Sequence, residues 1–190
     1  MFAGGGRSLH VTFDDAFVSV SRIVPLLEEL GLAAACTIFA CADYARDGRP
    51  LDVPELAADA RAHPAELATL PLAELRDLAE RGIEIGSHTS THPHLTRLTQ
   101  RELELELRES HERLEEGLDR RCRFLAYPYG EHDERVRTAA RAVGYEAAFA
   151  LGRRDGALDR FAFPRVGIYR RDGRFRARLK TSRLVRAAAS

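Results

Sequence analysis

Apolar residues are distributed along the chain in two different patterns. Short apolar runs, rich in β-branched and aromatic residues, predict buried strands at 8–13, 33–40, 83–86, 124–127, 145–151 and 163–169. Between most of these runs, apolar residues recur at helical spacing, which predicts helices over 19–30, 72–81, 100–117 and 134–143. Strand and helix therefore alternate, and this order is typical of a parallel α/β architecture.

One segment does not follow this alternation. The stretch from about 42 to 66 is polar and contains Pro50, Pro54 and Pro64. Because proline lacks a backbone donor and interrupts regular elements, the stretch predicts an irregular insertion with a short helix near 54–62. Thr99 and Glu102, in contrast, match a capping box, which predicts that the long helix begins directly after Thr99.

Composition narrows the class of protein. Of 190 residues, 45% are apolar and 31% charged, which predicts one globular domain spanning 1–190. The chain has 29 Lys and Arg residues together and 29 Asp and Glu residues together. The formal net charge is therefore zero, which argues against electrostatic binding of nucleic acid. No apolar run approaches the ~20 residues of a membrane span. No signal peptide precedes the first strand, which predicts a cytoplasmic location. The oligomeric state is not indicated.

The cysteines do not suggest a metal site or a disulfide framework. Cys36, Cys41 and Cys122 are odd in number and widely spaced. This pattern predicts buried or idle thiols.

Three polar clusters directly follow predicted strands. Asp14 and Asp15 follow 8–13, the segment 87–94 follows 83–86, and Pro128-Tyr129-Gly130 follows 124–127. Ligands of parallel α/β folds bind at the carboxyl ends of the strands. The common placement of the three clusters therefore predicts one shared site.

The second cluster contains the candidate metal ligands His88 and His92. Two imidazoles four residues apart on one turn or a tight loop face the same way, and neutral imidazole is a common Zn²⁺ ligand. Pro93 favours a loop over a helix here. The alternative is a pair of surface histidines on a polar loop. His94 is a third candidate, but its spacing from His92 directs it elsewhere.

The first and third clusters each allow two interpretations. Asp14 and Asp15 are either a helix cap with a first-turn acid or one metal ligand beside one group facing the reacting water. The turn at Tyr129 is either an ordinary turn or a means of aiming a backbone N–H into a site. Together, one Asp and two His supply the three protein ligands of a catalytic zinc site, which suits amide or ester hydrolysis.

These residues carry a resemblance to a known family. Thr12-Phe-Asp-Asp15 matches the first motif, and His88-Thr-Ser-Thr-His92 the second motif, of the polysaccharide deacetylases of the NodB-homology type, also called carbohydrate esterase family 4. The segment 124–130 looks like the third motif in its Tyr-Pro-Tyr-Gly variant. The motif order and spacing agree, and the resemblance runs from about residue 8 to 170.

The resemblance implies a fold and a set of residue roles. The fold would be a distorted, incomplete (β/α) barrel of about seven strands in a single domain. One divalent ion would be bound, Zn²⁺ in the first place, with Co²⁺, Mn²⁺ or Ni²⁺ as alternatives. The implied roles are general base (Asp14), metal ligands (Asp15, His88, His92), steadying of the histidine loop at the substrate (Thr89), oxyanion donor through its backbone N–H (Tyr129), and a wall of the acyl pocket (Pro128).

The sequence also departs from the family pattern. Ala126 stands where the wider family often has an Arg that orients the base, and Arg165 is a candidate substitute. The fourth motif is absent, as is the C-terminal Leu-x-His that carries the general acid. His132, the last of the seven histidines, is either a stand-in for that acid or a surface loop residue.

The combined prediction is a metal-dependent hydrolase. It would remove an N-linked acyl group, acetyl in the first instance, from an amino sugar or its oligo- or polysaccharide. One alternative is a sugar deacylase or deformylase acting on a small molecule in a biosynthetic pathway. Another is a metal-holding carbohydrate-binding module without turnover.

Overall fold

Six parallel strands form one sheet in which the strands follow their order along the chain. The computed structural model describes residues 9–152, 159–169 and 171–181. The strands are β1 (Val11–Phe13), β2 (Cys36–Ala40), β3 (Glu84–Ser87), β4 (Phe124–Ala126), β5 (Ala147–Leu151) and β6 (Phe163–Arg165). Each strand pairs in parallel with the next. The predicted α/β class and incomplete barrel are confirmed, with six strands in the described residues against the expected seven or so.

The sheet curls into a half-barrel. Arg165, the last residue of β6, donates hydrogen bonds to Thr12 in β1 and to Asp14 just after it, although 153 and 151 residues separate these pairs in sequence. Side chains from the first and last strands can meet in this way only when the sheet bends toward itself. The carboxyl edge is therefore a concave rim.

Seven α-helices lie in the described part of the chain, and the longest three of them pack against the sheet. They are α1 (Val24–Glu29), α2 (Ala42–Ala45), α3 (Ala57–Ala62), α4 (Leu72–Glu80), α5 (Gln100–Leu118), α6 (Glu134–Val143) and α7 (Arg174–Lys180). The long helix α5 packs between α4 and α6. Its Leu103, Leu107 and Leu114 are fully buried, which accounts for the apolar stripe in the sequence. The predicted capping box at Thr99 is present.

Several predicted elements have different limits in the structure. The helix expected over 19–30 is a 3₁₀ helix at Val18–Arg22 followed by α1. Pro25 lies in the first turn of α1, where its missing N–H costs nothing, so a new helix begins there. The strand expected over 163–169 ends at Arg165. Helix α7 was not predicted, because its alternating basic and apolar residues have no clear helical stripe.

The insertion packs as predicted around short helical pieces. A 3₁₀ helix at Pro54–Leu56 runs into α3, and a small core of Cys41, Tyr44, Leu51 and Val53 lies beneath. The three cysteines are buried and free, as expected. Among the described residues, no helix combines the length and apolarity needed to cross a bilayer. The assignment of 1–190 as one domain stays a prediction, because 1–8 and 182–190 lie outside the described residues.

Candidate active site

Residues from three turns meet at the carboxyl rim of the sheet. Asp14 and Asp15 directly follow β1, His88 directly follows β3, and the turn containing Tyr129 follows β4. The His92 and Tyr129 rings lie edge to face with centroids 4.8 Å apart. The expectation that these clusters share one site is thus realised in the geometry.

Asp15, His88 and His92 converge on one point. Their potential ligand atoms all lie within 4.8 Å of one another. Asp15 Oδ1 is 3.6 Å from His88 Nε2 and 3.4 Å from His92 Nε2. Asp15 Oδ1 is buried and has no hydrogen-bond partner. A buried carboxylate oxygen without a partner is energetically costly. A divalent cation between Asp15 and the two histidines would remove this cost, and the three side chains are ligands that such a cation accepts.

The ring orientations and pKa shifts at the cluster are compatible with a bound cation. His88 Nδ1 lies 2.8 Å from the carbonyl of Ala126, which can only accept, so Nδ1 carries a hydrogen and Nε2 is the nitrogen that faces Asp15. Burial lowers the pKa of His92 to about 3, so its imidazole is neutral at pH 7. Burial raises the pKa of Asp15 to about 6, against the opposing effect of His88. A bound cation would reverse that shift by stabilising the carboxylate.

Asp14 is held by Arg165 in a two-pronged ion pair. Arg165 donates from Nη1 to Asp14 Oδ1 at 2.6 Å and from Nη2 to Oδ2 at 2.9 Å. A further bond of 3.0 Å joins Nη1 to the hydroxyl of Thr12. Burial raises the pKa of Asp14, but His88 and the Arg165 guanidinium outweigh it, so the pKa lies below its ordinary value. Asp14 is therefore an ionised, fixed carboxylate beside the Asp15 cluster.

Strained backbone is concentrated in the same three turns. Six described non-glycine residues have positive φ: Asp15, Ala16, Thr89, His92, Asp119 and Tyr129. Five of the six lie in the site turns, and Asp119 ends α5. Each such residue costs on the order of 1 kcal/mol or more and persists only where the surroundings hold it. The clustering of this strain is characteristic of a functional site.

The histidine loop is held from inside and from α5. Thr89 is fully buried, and its hydroxyl accepts the His92 backbone N–H at 3.0 Å. Glu106 on α5 accepts the backbone N–H groups of Ser90, at 2.8 Å, and Thr91. The Thr89 hydroxyl and the Glu106 carboxylate therefore both support the backbone of this loop. In this conformation Thr89 exposes no surface to a substrate, so direct substrate binding by Thr89 stays a prediction.

The turn after β4 leaves one backbone donor unused. Gly130 N–H bonds to Tyr127 O at 2.9 Å, and Glu131 N–H bonds to Pro128 O at 3.2 Å. Within the described part of the chain, no hydrogen bond from Tyr129 N–H is observed. Pro128 is buried beneath the turn. The oxyanion role of the Tyr129 N–H and the acyl-pocket role of Pro128 stay predictions.

The structure does not support His132 as a stand-in general acid. Its ring packs against Tyr127, with centroids 5.1 Å apart, and the Tyr127 hydroxyl donates to the carbonyl of Phe161. None of the contacts described for His132 joins it to the metal-ligand cluster. Its pKa is lowered by burial.

Two residues at the site were missed in the sequence. Glu55, in the insertion, accepts a hydrogen bond of 2.9 Å from the Tyr129 hydroxyl. Nothing in the local pattern distinguishes Glu55 from other insertion acids. Glu106 was detectable, because it is half-buried next to Leu103 and Leu107 on the inward face of a helix. An acid in an apolar stripe usually has a buried partner.

Comparisons with known proteins agree with this geometry. The family model described as "Polysaccharide deacetylase" matches residues 3–148. The curated protein YxkH of Bacillus subtilis (strain 168) is 29% identical over 73 residues, which cover 38% of this chain and 26% of YxkH. The match therefore spans about a quarter of the length of that relative.

Solved structures share the fold. The Streptococcus pyogenes deacetylase PplD, in complex with acetate, superposes with a TM-score of 0.70 at 18% identity, covering 91% of this chain and 70% of that chain. A polysaccharide deacetylase from Bacillus cereus superposes with a TM-score of 0.69 at 23% identity, covering 91% and 51%. At these identities the likeness establishes the fold alone.

Proposed function

The chain belongs to the polysaccharide deacetylase family, and from this membership we propose that it is a metal-dependent hydrolase that removes an N-linked acyl group from an amino sugar. Acetyl is the acyl group we expect first. The ion would be Zn²⁺, with Co²⁺, Mn²⁺ or Ni²⁺ as alternatives, since nitrogen and oxygen ligands suit all four.

One observation carries the proposal. The buried, unpartnered Oδ1 of Asp15 faces the Nε2 atoms of His88 and His92 at 3.6 and 3.4 Å. Two imidazoles and one carboxylate match the three protein ligands of a catalytic zinc site that keeps one position open. When bound, such an ion polarises a carbonyl and lowers the pKa of water toward ~7.

The other residues would perform the remaining chemistry. The Asp14 carboxylate takes a proton from the attacking water, and Arg165 keeps that carboxylate ionised and oriented. The Tyr129 N–H donates to the oxygen that becomes negative in the tetrahedral intermediate. The proton taken up by Asp14 then passes to the amide nitrogen as the C–N bond breaks, so the sugar amine and the carboxylic acid are released and the Asp14 carboxylate is restored.

The proposed substrate class follows from membership of the family. The substrate is proposed to be an acylated amino sugar, free or within an oligo- or polysaccharide. A small sugar intermediate that loses an acetyl or formyl group would need the same residues. Pro128, which is buried in the turn after β4, would form part of the wall of the acyl pocket.

A metal-holding carbohydrate-binding module is the second candidate. It is favoured by the position of His132, which packs on Tyr127 and not against the cluster. The ion pair that fixes Asp14 argues against it, because sugar binding alone does not need an oriented carboxylate at this position.

The test is acetate release from N-acetylated chito-oligosaccharides by protein loaded with Zn²⁺ or Co²⁺. Asp14→Asn removes the proposed base and should reduce release at least ~100-fold, and a chelator should abolish it. Asp77→Asn, an exposed acid on α4, is the matched control and should retain activity. Metal-loaded protein without release, on chito-oligosaccharides and on small N-acyl sugars alike, would contradict hydrolysis and favour the binding module.

A further inference from the structure

A chain of hydrogen bonds leads from the candidate metal ligand His92 to the insertion. His92 Nδ1 lies 3.2 Å from the hydroxyl of Tyr129. That hydroxyl lies 2.9 Å from Oε2 of Glu55. The three groups come from the histidine loop, the turn after β4 and the 3₁₀ helix Pro54–Leu56. Together they join three separate segments at one edge of the site.

The direction of each hydrogen bond follows from donor and acceptor chemistry. An ionised carboxylate can only accept, so the single hydroxyl hydrogen of Tyr129 points to Glu55. The oxygen then presents a lone pair to His92, and Nδ1 must carry the hydrogen. Nε2 of His92 is left bare, facing Asp15 Oδ1 at 3.4 Å. In His88 the carbonyl of Ala126 accepts a hydrogen from Nδ1, and this hydrogen bond directs Nε2 toward Asp15.

The neighbours of Tyr129 restrict its ring. His94 stacks on it with centroids 3.9 Å apart and planes inclined by 11°. His94 Nδ1 lies 3.0 Å from Glu131, and its Nε2 lies 3.5 Å from Glu55. These contacts keep the hydroxyl of Tyr129 between His92 and Glu55. The proposed oxyanion role needs only the backbone N–H of Tyr129, so it does not account for the hydrogen bonds of the side chain.

We propose that Tyr129, through its hydroxyl, and Glu55 are positioning residues that fix His92 as the Nδ1–H tautomer and so present its Nε2 to a divalent cation. This inference rests on the proposed function in one respect, the identity of His92 as a metal ligand. It assigns to the Tyr129 side chain a task separate from that of its backbone N–H. It also gives the insertion a part in building the site.

Two measurements test the proposal. Nitrogen-15 NMR of the histidine rings in metal-free protein reports which nitrogen of His92 is protonated, and chelator competition reports Zn²⁺ affinity. Tyr129→Phe removes only the hydroxyl. We expect mixed His92 tautomers in this variant and a 10- to 100-fold loss of Zn²⁺ affinity, as is typical when the group behind a ligating histidine is lost.

Variants of Glu55 separate positioning from packing. Glu55→Leu removes the acceptor of the Tyr129 hydroxyl, which can then turn and donate to Nδ1 of His92. Because this favours the other tautomer of His92, the variant should reproduce part of the Tyr129→Phe effect. Glu55→Gln keeps an acceptor oxygen and should restore most of the affinity. Glu66→Gln, an exposed acid of the same insertion, is the control and should change neither measurement. Urea unfolding of each variant checks that the fold is intact.

The outcomes distinguish this inference from the proposed function. A protonated Nε2 on His92 in the wild-type protein would overturn the inference, as would Tyr129→Phe protein with unchanged tautomer and unchanged Zn²⁺ affinity. If the wild-type protein bound no Zn²⁺ while Tyr129→Phe still mixed the tautomers, the proposed function would fail and the positioning of His92 would stand.

Discussion

The ion pair between Asp14 and Arg165 joins the two ends of the sheet, so it should contribute measurably to stability. Arg165→Met removes the charge but keeps a long side chain over the Phe39 ring. In the wild-type protein the guanidinium carbon lies 5.3 Å from the centroid of that ring. We expect this variant to lose about 3 kcal/mol of unfolding free energy, because Asp14 stays largely buried without its partner. Asp14→Asn should lose less, since its amide oxygen still accepts from the guanidinium.

The size of the coupling can be worked out from the geometry. With charge centres ~4 Å apart and an effective dielectric of ~20, Coulomb's law gives about 4 kcal/mol. The Arg165 side chain is 10% exposed and that of Asp14 is 29% exposed, so water screens part of the attraction. A double-mutant cycle should therefore yield a coupling energy of about 2–3 kcal/mol.

Urea unfolding of the metal-free protein measures this coupling without interference from a bound ion. The four proteins of the cycle are the wild type, the two single variants and the double variant. The fold lowers the pKa of Asp14, so the unfolded chain binds more protons as the pH falls. The coupling should be fully present above the ordinary carboxyl pKa of about 4 and decline below it. A coupling below about 0.5 kcal/mol at pH 7 would refute the reasoning.

Two further predictions concern the backbone of the site turns. Glu106→Ala should cost about 1–3 kcal/mol of stability, because it leaves the N–H groups of the histidine loop unpaired. Exposed Glu112→Ala on the same helix should cost less than about 0.5 kcal/mol in the same urea assay. Gly130→Ala should cost at least about 2 kcal/mol, because a Cβ would lie 2.7 Å from the Leu151 backbone nitrogen. Gly82→Ala has similar positive φ but nothing within 4 Å, so an equal loss in both variants would contradict the steric explanation.

The sequence was sufficient to predict the fold class and the centre of the site. Strand positions follow from short apolar runs, and the parallel order follows from the alternation with helices. Because polar clusters at the carboxyl ends of parallel strands share an edge, the Asp14–Asp15 pair and the histidine loop could be expected at one site. The choice of Asp15 with His88 and His92 as the metal ligands came from the resemblance to the family.

Most of the supporting contacts could not be derived from local patterns in the sequence. The resemblance made Arg165 a candidate for orienting the base, but the geometry of its pairing with Asp14 depends on the curl of the whole sheet, which no local pattern encodes. Glu55 lies in an insertion with no periodicity, and its bond to Tyr129 is fixed by tertiary packing alone. The split of the helix expected over 19–30 shows a smaller limit, since apolar spacing does not distinguish a 3₁₀ turn from an α-helical one.

A carboxylate that already accepts two hydrogen bonds can still serve as a base. Asp14 has about four acceptor positions, and the hydrogen bonds from Arg165 occupy one on each oxygen. Because the guanidinium fork is planar and rigid, it fixes the plane of the carboxylate and thus the direction of the remaining lone pairs. The donor of that fork lies on β6, the last strand, and the acceptor follows β1, the first. Orientation of the proposed base therefore depends on closure of the half-barrel, which links the curvature of the sheet to the chemistry at its rim.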